Sequence, residues 1–218
     1  MPELTAIYYT AHLERPETEE AIRQKHLESL DGIPVISVSQ KPLDFGRNIC
    51  VGSVGVSDLN AFRQCQLGVR EATTKYVCPI EADFLYPPAY FQVIPPRDDT
   101  LYLVNPIYVL WCMKRHVRRF YLKARNSEGS MVVARDYLLQ VFDEMLAGCP
   151  EWAPDGAPFH HMLSVGKSAR LFIDTPIVTL KTDFNMGRKT PICPHNHTTE
   201  IPYWGTVQDV FARFHITI

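Results

Sequence analysis

Tyr76-Val-Cys-Pro-Ile-Glu-Ala-Asp-Phe-Leu-Tyr-Pro-Pro-Ala-Tyr-Phe91 is the stretch whose reading decides the fold. The apolar run from Tyr76 to Ile80 has the length and content of a buried strand. It stops at Glu81-Ala82-Asp83, and Pro87-Pro88 then pushes the backbone into an extended or turning path. Two carboxylates one residue apart, just past the end of a buried strand, can be aimed at one point. Hard divalent cations such as Mg²⁺ and Mn²⁺ take oxygen ligands of this kind, with substrate phosphates completing the shell. The other acid-x-acid triplet, Glu17-Thr18-Glu19, sits in a charged stretch with no strand before it. Context, not the doublet, carries the reading.

Working outward, Leu4 to Thr10 is a β-branched and aromatic run that predicts a first buried strand. Pro16, followed by Glu17, Glu19 and Glu20, opens a helix with acids at its positive end. Ile22, Leu27 and Leu30 give that helix an apolar face, and Gly32 stops it. Ile33 to Ser39 is a second strand, and Gln40 to Gly55 reads as loop. Ser57 or Asp58 caps the next helix, which carries Leu59, Phe62, Cys65, Val69 and Ala72 on one face. The strand ending at Glu81 follows. This alternation predicts a mostly parallel central sheet flanked by helices. In open α/β sheets ligands bind outside the carboxyl ends of the strands, where Thr10, Gln40 and the Glu81–Asp83 pair all fall.

The chain has 218 residues, 24.9 kDa, one domain's worth of sequence with ample material for a core. A net charge of −2 demands neither nucleic acid nor membrane as a partner. The six cysteines are scattered with no C-x-x-C pair, which suits free thiols in a reducing, cytoplasmic setting. Met1 to Thr5 lacks the basic and apolar regions of a signal peptide. The longest apolar stretch, Leu101 to Met113, is interrupted at Asn105-Pro106 and is too short to span a bilayer.

In the second half, Leu101 to Trp111 predicts one long or two short strands. Helical spacing of Ala134, Tyr137, Leu138, Val141, Phe142 and Met145 predicts a helix over 132–147. Arg170 to Thr179 reads as strand. Thr206-Val-Gln-Asp209 resembles a capping box ahead of a short apolar helix. Lys114 to Arg125 holds six of the 22 Lys and Arg and no acid, with Phe120 and Tyr121 interleaved. Such a run suits a phosphate-rich partner, held by Arg115, Arg118 and Arg119; an exposed amphipathic edge without a partner would look the same.

The segment 76–91 resembles the strand and acidic motif of GT-A glycosyltransferases, especially the family 2-like group, in which an Asp-x-Asp variant is followed by Leu/Tyr-Pro-x-x-Phe. The resemblance extends to the helix Asn60 to Ala72 and to the first strand, Thr5 to Ala11, covering roughly residues 4 to 91. It implies a GT-A-like (Rossmann-like) single domain over 1–218, with a nucleotide-sugar half at about 1–92 and an acceptor half at about 93–218. It also implies a metal-dependent hexosyl- or pentosyltransferase using a UDP-sugar with Mn²⁺ or Mg²⁺. Donor-binding residues would then be Thr10, Ala11, Gln40, Arg63, Glu81 and Asp83; Lys181, Arg188 and Lys189 could supply cations to the diphosphate, a solvated basic loop being the alternative. In inverting members a carboxylate in a Gly/Trp-rich segment before a helix deprotonates the acceptor. Asp155 in Pro150 to Met162 best resembles it, with Glu151 second; a simple Asp-Gly turn is the alternative. His160 and His161 are candidates for acceptor binding; a structural pair opening an apolar helix is the alternative.

Cys193-Pro-His195-Asn-His197 lacks the second ligand pair of a structural zinc site. His195 is instead the candidate for the late metal-ligand histidine of the family. That histidine usually follows the strand ending near Thr179, where this chain has Lys181-Thr-Asp183. Compact enzymes of this kind resemble bacteriophage glycosyltransferases, some of which modify 5-hydroxymethylpyrimidines in DNA, so DNA is an expected acceptor for 114–125. Glycan or protein acceptors, a sugar-nucleotide nucleotidyltransferase, and a non-catalytic nucleic-acid-binding module are the competing readings.

Overall fold

A computed structural model describes residues 3–114, 116–185 and 190–217. The nucleotide-sugar half expected from the sequence holds β1 (Leu4–Thr10), α1 (Pro16–Leu30), β2 (Val35–Ser39), β3 (Arg47–Cys50), α2 (Asp58–Glu71), β4 (Tyr76–Glu81), β5 (Phe84–Leu85) and α3 (Pro88–Phe91). The rest holds β6 (Leu101–Trp111), β7 (Phe120–Lys123), a 3₁₀ turn (Glu128–Ser130), β8 (Met131–Ala134), α4 (Arg135–Met145), α5 (Met162–Val165), β9 (Ser168–Lys181) and β10 (Ile192–Thr198). A small hairpin of β11 (Glu200–Ile201) and β12 (Gly205–Thr206) leads into α6 (Val207–Arg213). Among the described residues no helix is long and apolar enough to cross a membrane.

One sheet runs in the order β10-β7-β6-β8-β4-β1-β2-β3, with β9 also paired to β6 and β5 paired to β9. β1 pairs in parallel with β2 and β4, and β2 with β3. The expected mostly parallel sheet is therefore a mixed one: β8 runs antiparallel to both β4 and β6, and β7 antiparallel to β6 and β10. β1 is buried on both faces, as a central parallel strand should be. Leu4, Ala6 and Tyr8 point to the side of Leu30, Phe84 and Tyr86, whereas Ile7 points to the side of α2 and α4. The period of two thus divides the core into two layers.

Three local expectations are corrected. Residues 47–50, read as loop, add β3 at the sheet edge. The helix expected from 132 begins at Arg135, because Val132 and Val133 pair with Tyr102 and Val77 as part of β8. Two β-branched residues that can insert between two strands are better used there than in a first helical turn. Leu27 is exposed, and the buried face of α1 carries Thr18, Glu19, Lys25, His26 and Ser29 beside Ile22 and Leu30. The Thr206 capping box is present, its Oγ1 accepting from Asp209 N–H. All six cysteines are free.

α2 lies close on β1 because position 68 is glycine: a Cβ there would stand 2.5 Å from Ile7 Cγ2 and 3.2 Å from Val38 Cγ2. Both neighbours are stiff β-branched side chains. Gly68→Ala therefore gains roughly 1 kcal/mol of helix propensity but incurs about 1–3 kcal/mol of overpacking. We expect a net loss of stability, read as a lower urea midpoint with an unchanged slope.

Candidate functional site

A cleft of about 390 Å³ opens at the carboxyl ends of β1, β2 and β4. Its walls include Thr10, Ala11, Glu14, Gln40, Glu81, Asp83, Lys123, Glu128, His161 and Lys181. Two side-chain amides, the buried Gln64 and the half-buried Gln40, set its floor. Gln64 Nε2 donates to the carbonyls of Thr10 and Val38, both at 3.0 Å, tying the ends of β1 and β2 to α2. Gln40 pairs with the Gly55 backbone in both directions, at 2.7 and 3.3 Å. Beneath Thr10, the buried Glu19 carboxylate accepts from Thr10 Oγ1 at 2.8 Å and from Tyr8 Oη at 3.0 Å. Arg23 and His12 lie 3.4 Å from the same carboxylate.

The two acids of the sequence motif have different partners. Asp83 Oδ2 receives Lys181 Nζ at 2.7 Å and Asn185 Nδ2 at 3.1 Å. Both members of the ion pair are mostly buried, Lys181 at 8% and Asp83 at 13% exposure. Burial disfavours the Lys181 charge, but the attraction of Asp83, Glu81 and Glu14 outweighs it and the ammonium is held above its usual range. Glu81 accepts from Tyr9 Oη at 2.9 Å. Its carboxylate packs so closely on the Gly129 backbone that a Cβ there would stand 2.3 Å from Glu81 Oε1. Burial first, then the Asp83 charge, raise Glu81 to about 7, against the opposing pull of Lys181, the Tyr9 hydrogen bond and Lys123. Burial likewise raises Glu14, whose carboxylate accepts from Thr182 Oγ1 at 2.7 Å. Lys123 is lowered by burial and by the nearby Lys181 charge.

Of the residues proposed from sequence, the structure brings Thr10, Ala11, Gln40, Glu81, Asp83 and Lys181 to this cleft. Arg63 is elsewhere, donating to the carbonyls of Leu146, Cys149 and Pro150 at 3.1–3.3 Å, where it fastens the loop after α4. Asp155 is exposed in a turn closed by Gly156 N–H to Ala153 O at 2.9 Å, and it is not among the cleft-lining residues. His160 is exposed outside the lining, while its neighbour His161 is part of it. His195 lies on the exposed part of β10 and is not among the lining residues; no group of three metal-ligating side chains forms among the described residues. Arg118 stacks over Phe211 at 5.7 Å, and Arg119 lies 3.0 Å from His197 Nδ1. The basic run is thus divided: Lys123 lines the cleft, whereas Arg118 and Arg119 pack on Phe211 and His197 and are not among its lining. Arg115, Arg188 and Lys189 lie outside the described residues.

Sequence reasoning missed Tyr9, Glu14 and Glu128; it had Lys123 only as one cation of the basic run, and His161 beside His160 as a candidate for the acceptor. Only the alternation in β1 could have pointed to Tyr9, which stands on the opposite face from Tyr8.

No protein-family model matches the chain, and no curated protein is significantly similar to it. Solved structures do resemble it. The inositol-1-phosphate CTP transferase from T. maritima aligns with a TM-score of 0.50 and 12% identity over 85% of this chain and 92% of its own. S. aureus TarS 1-349 in complex with UDP-GlcNAc gives 0.47 and 11% over 88% of this chain, which spans 62% of that fragment. A glycosyltransferase involved in the glycosylation of the major capsid of PBCV-1 gives 0.45 and 10% over 82% and 92%. Identities this low speak to the α/β fold alone.

Two measurements check the electrostatics. Between about pH 4.5 and 7 native Glu81 holds a proton that the unfolded chain has released, so stability should fall as pH rises through that window. Glu81→Gln should flatten that part of the stability profile, with the smaller Glu14 contribution remaining. Lys181→Met leaves Asp83 buried without its cation. We expect a loss of about 3 kcal/mol, the low end for a broken buried pair because cleft water reaches Asp83. The double variant with Asp83→Asn should recover most of it.

Proposed function

We propose that this protein is a glycosyltransferase that moves a hexosyl or pentosyl group from a nucleotide-sugar, a UDP-sugar first among them, to an acceptor hydroxyl. The observation that carries this reading is the convergence of Glu81, Asp83, Lys123 and Lys181 on one cleft at the carboxyl ends of β1, β2 and β4. Thr10, Ala11 and Gln40 line its nucleotide side. Lys181 and Lys123 are placed to receive the diphosphate.

The cleft holds five carboxylates against two ammonium groups among the described residues. A diphosphate enters such a field far more readily with a cation than without one. Mg²⁺ sites commonly use one or two carboxylates and complete the shell with phosphate oxygens and water. Glu81 and Asp83 fit that role for Mg²⁺ or Mn²⁺. The cation, when bound, would stabilise negative charge on the departing diphosphate. Asp83 must then share its carboxylate between Lys181 and the ion, and Glu81 must give up its proton.

Nucleotidyl transfer is the second reading, since the CTP transferase shares the fold. Against it, the segment 11–15 after β1 contains no glycine, and Glu14 turns a carboxylate into the cleft where a triphosphate would need donors. The product separates the two: UDP from a UDP-sugar, or pyrophosphate from a nucleoside triphosphate. For the acceptor we propose 5-hydroxymethylpyrimidine in DNA, with the cations around Arg118 and Arg119 on the phosphates; steep loss of DNA binding with salt would accompany it. Label appearing on a saccharide or protein and on neither hydroxymethylated duplex would replace that acceptor.

The primary test is titration of UDP with and without Mn²⁺. Wild type should bind more tightly with the metal, and the gain should grow between pH 6 and 8 as Glu81 ionises. Asp83→Ala should lose the metal-dependent gain and Glu81→Ala part of it. The same gain in Asp83→Ala as in wild type would remove the metal assignment.

A further inference from the structure

Among the described residues five acids line the cleft, and the hydrogen bonds of three of them commit them elsewhere. Asp83 is paired with Lys181, Glu81 is held by Tyr9, and Glu14 accepts from Thr182. Asp58 opens α2, on the nucleotide side. The fifth, Glu128, comes from the opposite half of the chain. It starts the 3₁₀ turn whose next residue, Gly129, rests on the Glu81 carboxylate. Glu128 therefore lines the cleft next to Glu81, where a diphosphate held at Glu81 and Asp83 would carry its sugar. Lys123, between Glu81 and Glu128, is attracted by both.

Glu128 also has an orienting partner. His161 caps α5, its Nδ1 accepting from Leu163 N–H at 3.3 Å. An Nδ1 that accepts leaves the ring proton of a neutral imidazole on Nε2. That nitrogen lies 3.4 Å from Glu128 Oε1, a spacing that substrate closure can tighten. His161 can thus donate to Glu128 without competing for the acceptor's proton.

We propose that Glu128 is the general base that activates the acceptor hydroxyl, with His161 as its positioning residue; this rests on the glycosyltransferase reading above. The Glu128 carboxylate takes the proton of the acceptor O–H as that oxygen bonds to the anomeric carbon. The bond from the anomeric carbon to the diphosphate oxygen breaks, and the nucleoside diphosphate leaves with the electron pair. In the absence of another acceptor, water takes the same place, so slow hydrolysis of the donor reports on the same base. The exposed Asp155 has no part in this step.

The experiment measures UDP affinity and UDP release from a panel of UDP-sugars for wild type, Glu128→Gln, Glu128→Asp, His161→Ala and His161→Asn. Glu128→Gln should bind UDP within about twofold of wild type and release it about 10²–10⁴-fold more slowly, the usual worth of a general base. Glu128→Asp should recover part of the rate, which also separates chemistry from misfolding. His161→Ala should lower kcat about tenfold at unchanged KM and move the acid limb of its pH profile upward, since a carboxylate that loses a donor becomes more basic. His161→Asn, which keeps a cap and a donor, should restore part of both. Release from Glu128→Gln at the wild-type rate would overturn the assignment, and wild type that binds UDP but releases none counts against it. Wild type that neither binds UDP nor releases it removes the glycosyltransferase reading itself.

Discussion

The ion pair between Asp83 and Lys181 joins the two halves of the molecule. The residues are 98 positions apart, yet Lys181 Nζ sits 2.7 Å from Asp83 Oδ2, and Leu180 N–H donates to the Asp83 carbonyl at 2.8 Å. Phe84 and Leu85 pair with Thr179 and Val178 directly behind it. Removing either charge alone would leave the other stranded in a mostly dry site. The turn after β4 is therefore held between its own strand and the end of β9, and both walls of the cleft inherit their position from it.

A second polar centre supports the first from below. α1 buries Glu19, His26 and Ser29, a face that hydrophobicity alone would not select. Glu19 accepts from Tyr8 and Thr10 of β1, so the helix is fastened to the end of the strand that leads into the cleft. His26 Nε2 lies 2.8 Å from the Phe84 carbonyl, and burial lowers its imidazole to about 4, which keeps the ring neutral near pH 7. The Glu19 carboxylate and His26 Nε2 fix one arrangement because a shifted helix would leave them unsatisfied. The loop after β1 turns through a left-handed residue, His12, with φ of 54°, whose N–H donates to Thr10 Oγ1 at 2.9 Å.

The division of labour across the cleft follows from the mixed sheet. The parallel strands β1, β2 and β4 end together and present Thr10, Gln40 and the two motif acids on one side. The antiparallel insertion of β8 between β4 and β6 places the 3₁₀ turn, with Glu128 and Gly129, against Glu81. The end of β7 adds Lys123, and the start of α5 adds His161. A carboxylate at about 7, a lysine lowered by burial and a lysine held above its usual range thus share one small volume. Such opposed shifts mark sites built to exchange charge with a ligand.

The sequence by itself determined most of the first half of the fold, from β1 to β4. The β-branched and aromatic run Leu4 to Thr10, a capped apolar stripe in Asp58 to Glu71 and the run into Glu81 are local patterns, and local backbone preferences suffice to express them. The same patterns placed Thr10, Gln40, Glu81 and Asp83 at strand ends, where the cleft lies. Tertiary structure alone decided the rest, because the deciding contacts are between residues far apart in the chain. Val132 and Val133 read as helix until two partner strands are present to receive them. Arg63 and Asp155 have suitable chemistry for a site, but one is drawn to three loop carbonyls and the other to an exposed turn. Glu128 carries no motif, Lys123 is one cation of a basic run and His161 one of a histidine pair; they meet the acids of β4 only when the antiparallel strands fold back over them. A side chain's type is written locally, but its charge state and its partner depend on what the fold brings within a few ångströms of it.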